Sequence, residues 1–248
     1  MANQDELMAL AQEVHNSNAL RYQGRLETLG VNFYVFNRNY QELKKLFGAV
    51  KNQEKLLQLW DLRNRLQLEI TINETLRLLH NFLASAKSLV DQTRVIIRNW
   101  YKDTEFLKEY ETQVNLRFVN NPLTGFIEDL RNFSLHYSLP VTNANLSVQI
   151  DQKTGHSITD FSFVLIKPNL LVWTGWTQKG KDFLSAAKDE IDIGNLVDEY
   201  YKQIFDFHSW LINSLQEIHK EDLLWLAEMR QKTINAMSEE ERKDRGLA

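Results

Sequence analysis

Near the middle of the chain lies the run Leu130-Arg131-Asn132-Phe133-Ser134-Leu135-His136-Tyr137, whose residue types suit chemistry on a phosphodiester. Histidine titrates near neutrality and serves as general base or general acid. Arginine stays charged and grips a phosphate through two N–H groups at once. RNA carries its own nucleophile, the 2′-hydroxyl, so one base or acid and one fixed cation are the minimum for its cleavage, and no metal is required. On a helical wheel of about 100° per residue, Phe126, Leu130, Phe133 and Tyr137 form one narrow stripe, the expected core face. Tyr137 is therefore assigned mainly to packing, with substrate contact as a lesser role. Asp129, Asn132 and His136 line one flank of the stripe. Asn132 and His136 are i, i+4 neighbours able to hydrogen-bond, Asn132 is suited to orient the imidazole or bind a ribose, and Asp129 is grouped with substrate binding. Arg131 sits on the other flank, roughly 140° from His136 on the same wheel. It reaches the same substrate only through its long side chain or from a facing subunit, which favours a composite site over a self-contained one.

The spacing is selective. Arg-Asn occurs at Arg38, Arg63, Arg98 and Arg131, and only the last has a histidine in register. The six histidines (His15, His80, His136, His156, His208, His219) show no i, i+3 or i, i+4 pairing, and nothing resembles His-Glu-x-x-His, so no metal site is expected. With no cysteine in the chain, disulfides and thiol catalysis are excluded. Gly175-Trp-Thr-Gln-Lys-Gly180-Lys181-Asp182 comes near a phosphate-binding loop, but Asp182 stands where a magnesium-ligating hydroxyl belongs, and the stretch is expected to be a solvated turn. His80 and His208 lie among apolar residues and read as core or flank positions. The aromatic set Trp173, Trp176, Tyr200, Tyr201, Phe205, Phe207 and Trp210 suits core packing better than base stacking.

The elements that hold the motif follow from scarce Gly and Pro. The 248 residues contain 9 Gly and 3 Pro, and none of either falls between Ala49 and Asn121, which excludes a sandwich, a barrel or a repeated strand–turn–helix fold. Leu43, Leu46, Phe47, Val50, Leu56, Leu59, Leu66 and Ile70 keep the spacing of a buried helix face, as do Leu76, Leu79, Leu83, Ala86 and Val90. The β-branched Ile70-Thr71-Ile72 before Asn73 predicts a break or kink, with Asn73 as an N-cap. A helix carrying Phe106, Leu107, Tyr110 and Val114 comes next. Pro122 opens the motif helix and Pro140 stops it. Leu146, Val148 and Ile150 then alternate, Asp151–Gly155 supplies a turn, Ile158 to Ile166 makes a second strand, and Leu170–Trp173 a third. Helical spacing returns from Leu196 to about Met237, and the charged run from Ser238 is expected to fray. The fold class is thus mainly α, with a small antiparallel hairpin or meander inserted before the C-terminal helices. The chain reads as a single domain over 1–248: an N-terminal helical extension at 1–72, motif-bearing helices at 73–140, the β insertion at 141–180 and C-terminal helices at 195–237.

Net charge is −4, so nucleic-acid binding must use a local patch rather than a global basic field. No run of ~18 apolar residues suggests a membrane span, and the acidic N-terminus lacks the form of a signal peptide. The expectation is a cytoplasmic protein. Arg131-Asn132-x-x-x-His136 followed by Tyr137 and Leu139-Pro140 resembles the signature of the HEPN superfamily, the higher-eukaryote and prokaryote nucleotide-binding helical domains. Leu78-Leu79-His80-Asn81-Phe82 resembles, less specifically, the helix that precedes it there. The resemblance covers about Asn73 to Pro140 plus a helix from Leu196 on. It implies a helical bundle that forms a homodimer, in which two Arg131/His136 pairs face one another and cleave RNA without a cofactor or metal. It further implies a toxin or defence role, with an antitoxin or defence protein as partner. The alternative within the same resemblance is a non-catalytic binding or dimerisation module for a nucleotide, RNA or protein.

Overall fold

The computed structural model describes residues 4–50, 53–150, 157–244 and 246. The chain is mainly helical with a small three-stranded antiparallel sheet. In order come α1 (Gln4–Asn16), α2 (Asn18–Val50), α3 (Gln53–Trp60), a 3₁₀ turn at Leu62–Asn64, α4 (Arg65–Trp100), α5 (Glu105–Val114), a π-helical turn at Asn115–Val119 and α6 (Pro122–His136). They are followed by β1 (Thr142–Ile150), β2 (Ser157–Ile166), α7 (Lys167–Leu170), α8 (Gln178–Ala186), β3 (Glu190–Asp192), α9 (Ile193–Ile218), α10 (Lys220–Ala236) and α11 (Glu239–Asp244). The chain divides into two compact units, one formed by Met1–Val31 with Phe207–Ala248 and the other by Asn32–Asp206. Among the described residues no helix is long and apolar enough to cross a membrane.

In the first unit α1 packs along α10, and the Tyr22 ring stacks on His219 at 3.7 Å between centroids. His219 is buried, and burial lowers its pKa from the ordinary value, the nearby Asp222 carboxylate opposing the shift.

The second unit holds the motif. One continuous core joins Phe36, Leu43 and Phe47 of α2, Leu79, Phe82 and Leu83 of α4, Phe126, Leu130 and Phe133 of α6, Phe161, Phe163 and Leu165 of β2, and Leu196, Val197 and Tyr200 of α9. The sheet has the order β1-β2-β3, with Thr142 opposite Leu165 and Val164 opposite Asp192. β1 and β2 form the expected hairpin; the Asp151–Gly155 turn lies outside the described residues.

Several expectations need correcting. α4 runs unbroken from Arg65 to Trp100 and Asn73 caps nothing. Within it Thr71 donates its hydroxyl to Gln67 O at 2.8 Å and Thr75 donates to Thr71 O at 2.9 Å, so the polar side chains are satisfied inside the helix they were expected to break. The break falls earlier, at Asp61, whose carboxylate accepts from Arg63 N at 2.9 Å and opens the 3₁₀ turn. Because of it Leu66 and Ile70 do not continue the buried face; they are 70% and 50% exposed. Leu170–Trp173 is not a strand: Pro168 in a first turn starts the short α7 instead, and the third strand is Glu190–Asp192. The run after Ser238 is helical over Glu239–Asp244.

Candidate functional site

The motif helix α6 is fixed at both ends by its own sequence. At its start Asn121 accepts from Leu123 N at 3.0 Å and Thr124 N at 3.4 Å, which satisfies donors a helix otherwise leaves open. The same side chain donates to Gln203 Oε1 at 2.9 Å and ties α6 to α9. Pro122 occupies the first turn, where a missing N–H costs nothing. At the far end the amides of Tyr137 and Ser138 both donate to Phe133 O at 3.0 Å, and the buried Pro140 follows. Phe126, Leu130 and Phe133 are buried, as the wheel requires.

α8 braces α6 from the side. Phe126 stacks on Phe183 at 4.3 Å and on Trp176 at 5.5 Å, and Phe133 meets Trp173 edge-on at 5.7 Å. The helices approach so closely that a Cβ on Gly125 would overlap Lys179 Cβ, a contact only glycine permits. The segment expected to be a solvated turn is thus a packed helix start: Trp176 and Gly180 are buried, and Thr177 caps α8 through Gly180 N.

Asp129 belongs to this brace. It is 2% exposed, and its Oδ2 accepts from Thr177 N at 2.8 Å and from Thr177 Oγ1 at 2.7 Å. Burial raises its carboxyl above the ordinary value, against the lowering effect of the Thr177 hydrogen bonds. The expected place for Asp129 beside substrate is corrected: it faces α8, not solvent. Tyr137 departs from the wheel in the opposite sense. It ends the helix with φ −123° and ψ −68°, so its side chain leaves the core stripe and is 52% exposed while its ring still touches Phe133 at 5.2 Å.

His136 is exposed in the last turn of α6. Arg131 and Asn132 are half-buried, and Arg131 Nη1 donates to Asn132 Oδ1 at 3.1 Å. Among the described residues no hydrogen bond links His136 to Asn132 or Arg131. One chain therefore joins Arg131 to Asn132 by a hydrogen bond and leaves the His136 imidazole facing solvent.

Arg131 lines a cavity of about 50 Å³ between α4, α6 and α9, bounded by Leu83, Ala86, Lys87, Thr124, Ile127 and Tyr200 among others. Its Nε is buried without a hydrogen-bond partner, as is Thr124 Oγ1. Lys87 donates to Glu128 at 2.8 Å and lies 3.2 Å from Asp91. Burial works against the Lys87 ammonium, but these carboxylates outweigh it and hold its pKa above the ordinary value. Thr124 was within reach of sequence reasoning, two turns ahead of Arg131 on the same helix face. Lys87 and Tyr200 were not, since other helices carry them in. A second cavity of about 160 Å³ opens at the start of α9, where Lys44 Nζ meets Asp198 Oδ2 at 2.6 Å, Tyr40 donates to Asp198 Oδ1 at 2.9 Å, and Asp192 accepts from Asn195 N at 2.6 Å. Among the described residues no group of three or more His, Asp or Glu could hold a metal ion. No family model, no curated protein and no solved structure matches the chain.

Proposed function

We propose that this chain is a metal-independent endoribonuclease of the HEPN type, acting as a homodimer in a toxin or defence setting. The observation that carries the reading is the Arg131-Asn132-x-x-x-His136 run at the end of a helix capped at Asn121 and stopped at Pro140, with the imidazole open to solvent. Arg131 has no carboxylate partner among the described residues, so its charge is free for a phosphate. In the reaction the 2′-oxygen bonds to the adjacent phosphorus as the P–O5′ bond breaks. His136 takes the 2′-hydroxyl proton or delivers a proton to the departing 5′-oxygen, and Arg131 holds the phosphoryl oxygens. No hydrogen bond joins Arg131 to His136 among the described residues, and in this reading a second copy supplies the facing member of each pair. The apolar residues beside His136 support that step: Leu135, Tyr137, Leu139 and Val141 are all 40–55% exposed, from 42% at Leu135 to 53% at Leu139.

The test is incubation of the purified chain with mixed RNAs in EDTA, beside an RNA carrying 2′-deoxyribose at the cleaved position. The reading requires cleavage in EDTA, cyclic phosphate and 5′-hydroxyl ends, and full resistance of the deoxy substrate. Cleavage that needs a metal, or that proceeds on the deoxy substrate, refutes it. The second reading, a non-catalytic dimerisation or binding module, draws on the absence of a hydrogen bond between His136 and Arg131 among the described residues. It predicts no cleavage and a loss of self-association on substitution of Leu139 or Tyr137 by Glu.

A further inference from the structure

We propose that the first two turns of α4 form a self-docking face on which two copies of this chain pair antiparallel through Leu66 and Ile70. The contact is separate from the pairing at the His136 end of α6 and stands without the ribonuclease reading. α4 begins with apolar residues on opposite sides. Leu68 and Ile72 pack against the core, and Thr71 beside them is buried. Leu66 and Ile70 lie on the other side of the wheel, each about 160° from Leu68. They are four apart and so form one stripe, 70% and 50% exposed, and Leu62 on the 3₁₀ turn just before them is 91% exposed. A helix that is apolar all round belongs in a buried setting. The spacing that predicts burial for Leu66 and Ile70 is thus matched by a cover from outside the chain.

Charge names the occupant, because the residues beside the stripe fit their own surface turned by a two-fold rotation. Arg65 and Glu69 stand on one flank, with Arg65 Nε 3.4 Å from Glu69 Oε1 and the side chains 81% and 56% exposed. A pair so open to water contributes little within one chain and can be shared across a contact. A two-fold axis beside Gln67 reverses the second helix, and Arg65 and Glu69 each stand two residues from that axis. Arg65 of one copy is then level with Glu69 of the other, twice over, and no like charges meet on that flank. At about 1.5 Å of rise per residue, the two Leu66 side chains lie ~3 Å apart along the helices, at the centre of the contact. Ile70 comes against Leu62 of the second copy. Such self-complementarity is what an isologous contact requires and what an unrelated partner does not need. Where the His136 ends also pair, each chain carries two isologous faces, and dimers join into tetramers or longer assemblies.

Disulfide trapping and sedimentation equilibrium of the full chain test the contact. The chain has no cysteine, so Leu66→Cys introduces a single thiol, and mild oxidation should trap a covalent dimer at the axis. Asn73 is exposed on the same helix. Its two copies would lie ~18 Å apart along the helices, beyond disulfide reach, so Asn73→Cys should trap none. In sedimentation, Arg65→Glu or Glu69→Arg alone sets like charges opposite each other and should weaken self-association about three- to tenfold. The double swap restores both pairs and should restore the wild-type affinity. Leu66→Glu places two carboxylates in the apolar centre and should halve the mass of the assembly. The product is a dimer if the His136 ends also pair and a monomer if they do not, so failure of this contact and failure of the ribonuclease pairing are read apart. Unaltered melting temperatures confirm that each variant is folded. No trapping at position 66, equal trapping at 66 and 73, a double swap that stays weakened, or a Leu66→Glu chain with the mass of the wild type overturns the proposal. Oxidation in cell extract that joins Leu66→Cys to a different protein and not to itself assigns the face to another partner and also overturns it.

Discussion

Gly180→Ala is the substitution through which the bracing of the motif helix is best measured. A methyl at Gly180 would overlap Asp129 Oδ2 and come within 3.2 Å of Trp176 Cε3. The carboxylate must swing away, and in doing so it loses the 2.8 Å and 2.7 Å hydrogen bonds from Thr177. A buried carboxylate left short of donors costs about 2–4 kcal/mol. The change also brings a gain, since Ala is better than Gly inside a helix by about 1 kcal/mol. The net loss expected in the wild-type background is thus about 1–3 kcal/mol. In an Asp129→Ala background the overlap is gone, only the ring contact remains, and Gly180→Ala should be neutral or stabilising by up to about 1 kcal/mol. The cycle therefore predicts a coupling of about 2–4 kcal/mol between two positions 51 apart in sequence. Urea unfolding followed by tryptophan fluorescence measures it, because Trp173 and Trp176 lie in the brace. An equal cost of Gly180→Ala in both backgrounds would refute the close approach of α8 to Asp129.

The raised carboxyl of Asp129 has a pH signature. The folded chain holds a proton that the unfolded chain has released, so this contribution to stability is full below the ordinary Asp pKa and is lost as pH rises through the folded value. Asp129→Asn cannot ionise and should lack that decline, so the wild type should lose stability relative to it as pH rises above the ordinary Asp pKa of about 4, read by urea unfolding at each pH; a difference that stays constant as pH rises contradicts the assignment. Asn121→Ala removes the cap of α6 and its bond to Gln203, and should cost about 1–2 kcal/mol in the same assay, with the melting temperature falling accordingly.

Where local rules and burial agreed, the sequence was legible. Pro122 and Pro140 bounded α6 correctly, and Phe126, Leu130 and Phe133 face the core. The β1–β2 hairpin followed from alternation. Misreadings came where tertiary contact overrides propensity. Thr71 and Thr75 stay helical because their hydroxyls return to the carbonyls one turn back and their side chains are buried. The third strand is three residues long and pairs with β2 at Val164–Ile166, too short to show alternation. Trp176 to Gly180 looked polar and flexible, yet its glycine is there for close approach and its threonine for capping. Asp129 sits on the flank of the wheel nearest His136, and nothing in the sequence announces that α8 comes to cover it. Tyr137 was misplaced because the wheel assumes a helix that ends one residue earlier.

The central claim is that Arg131 and His136 act together on RNA without a metal. Single-turnover cleavage of one RNA in EDTA, compared among wild type, His136→Ala and Arg131→Ala, tests it most directly. Removing a general acid or base costs about 10²–10⁴-fold, so both variants should fall at least about a hundredfold while circular dichroism and melting temperature stay those of the wild type. Cleavage at wild-type rate by either folded variant, or no cleavage by the wild type on any RNA, would contradict the account.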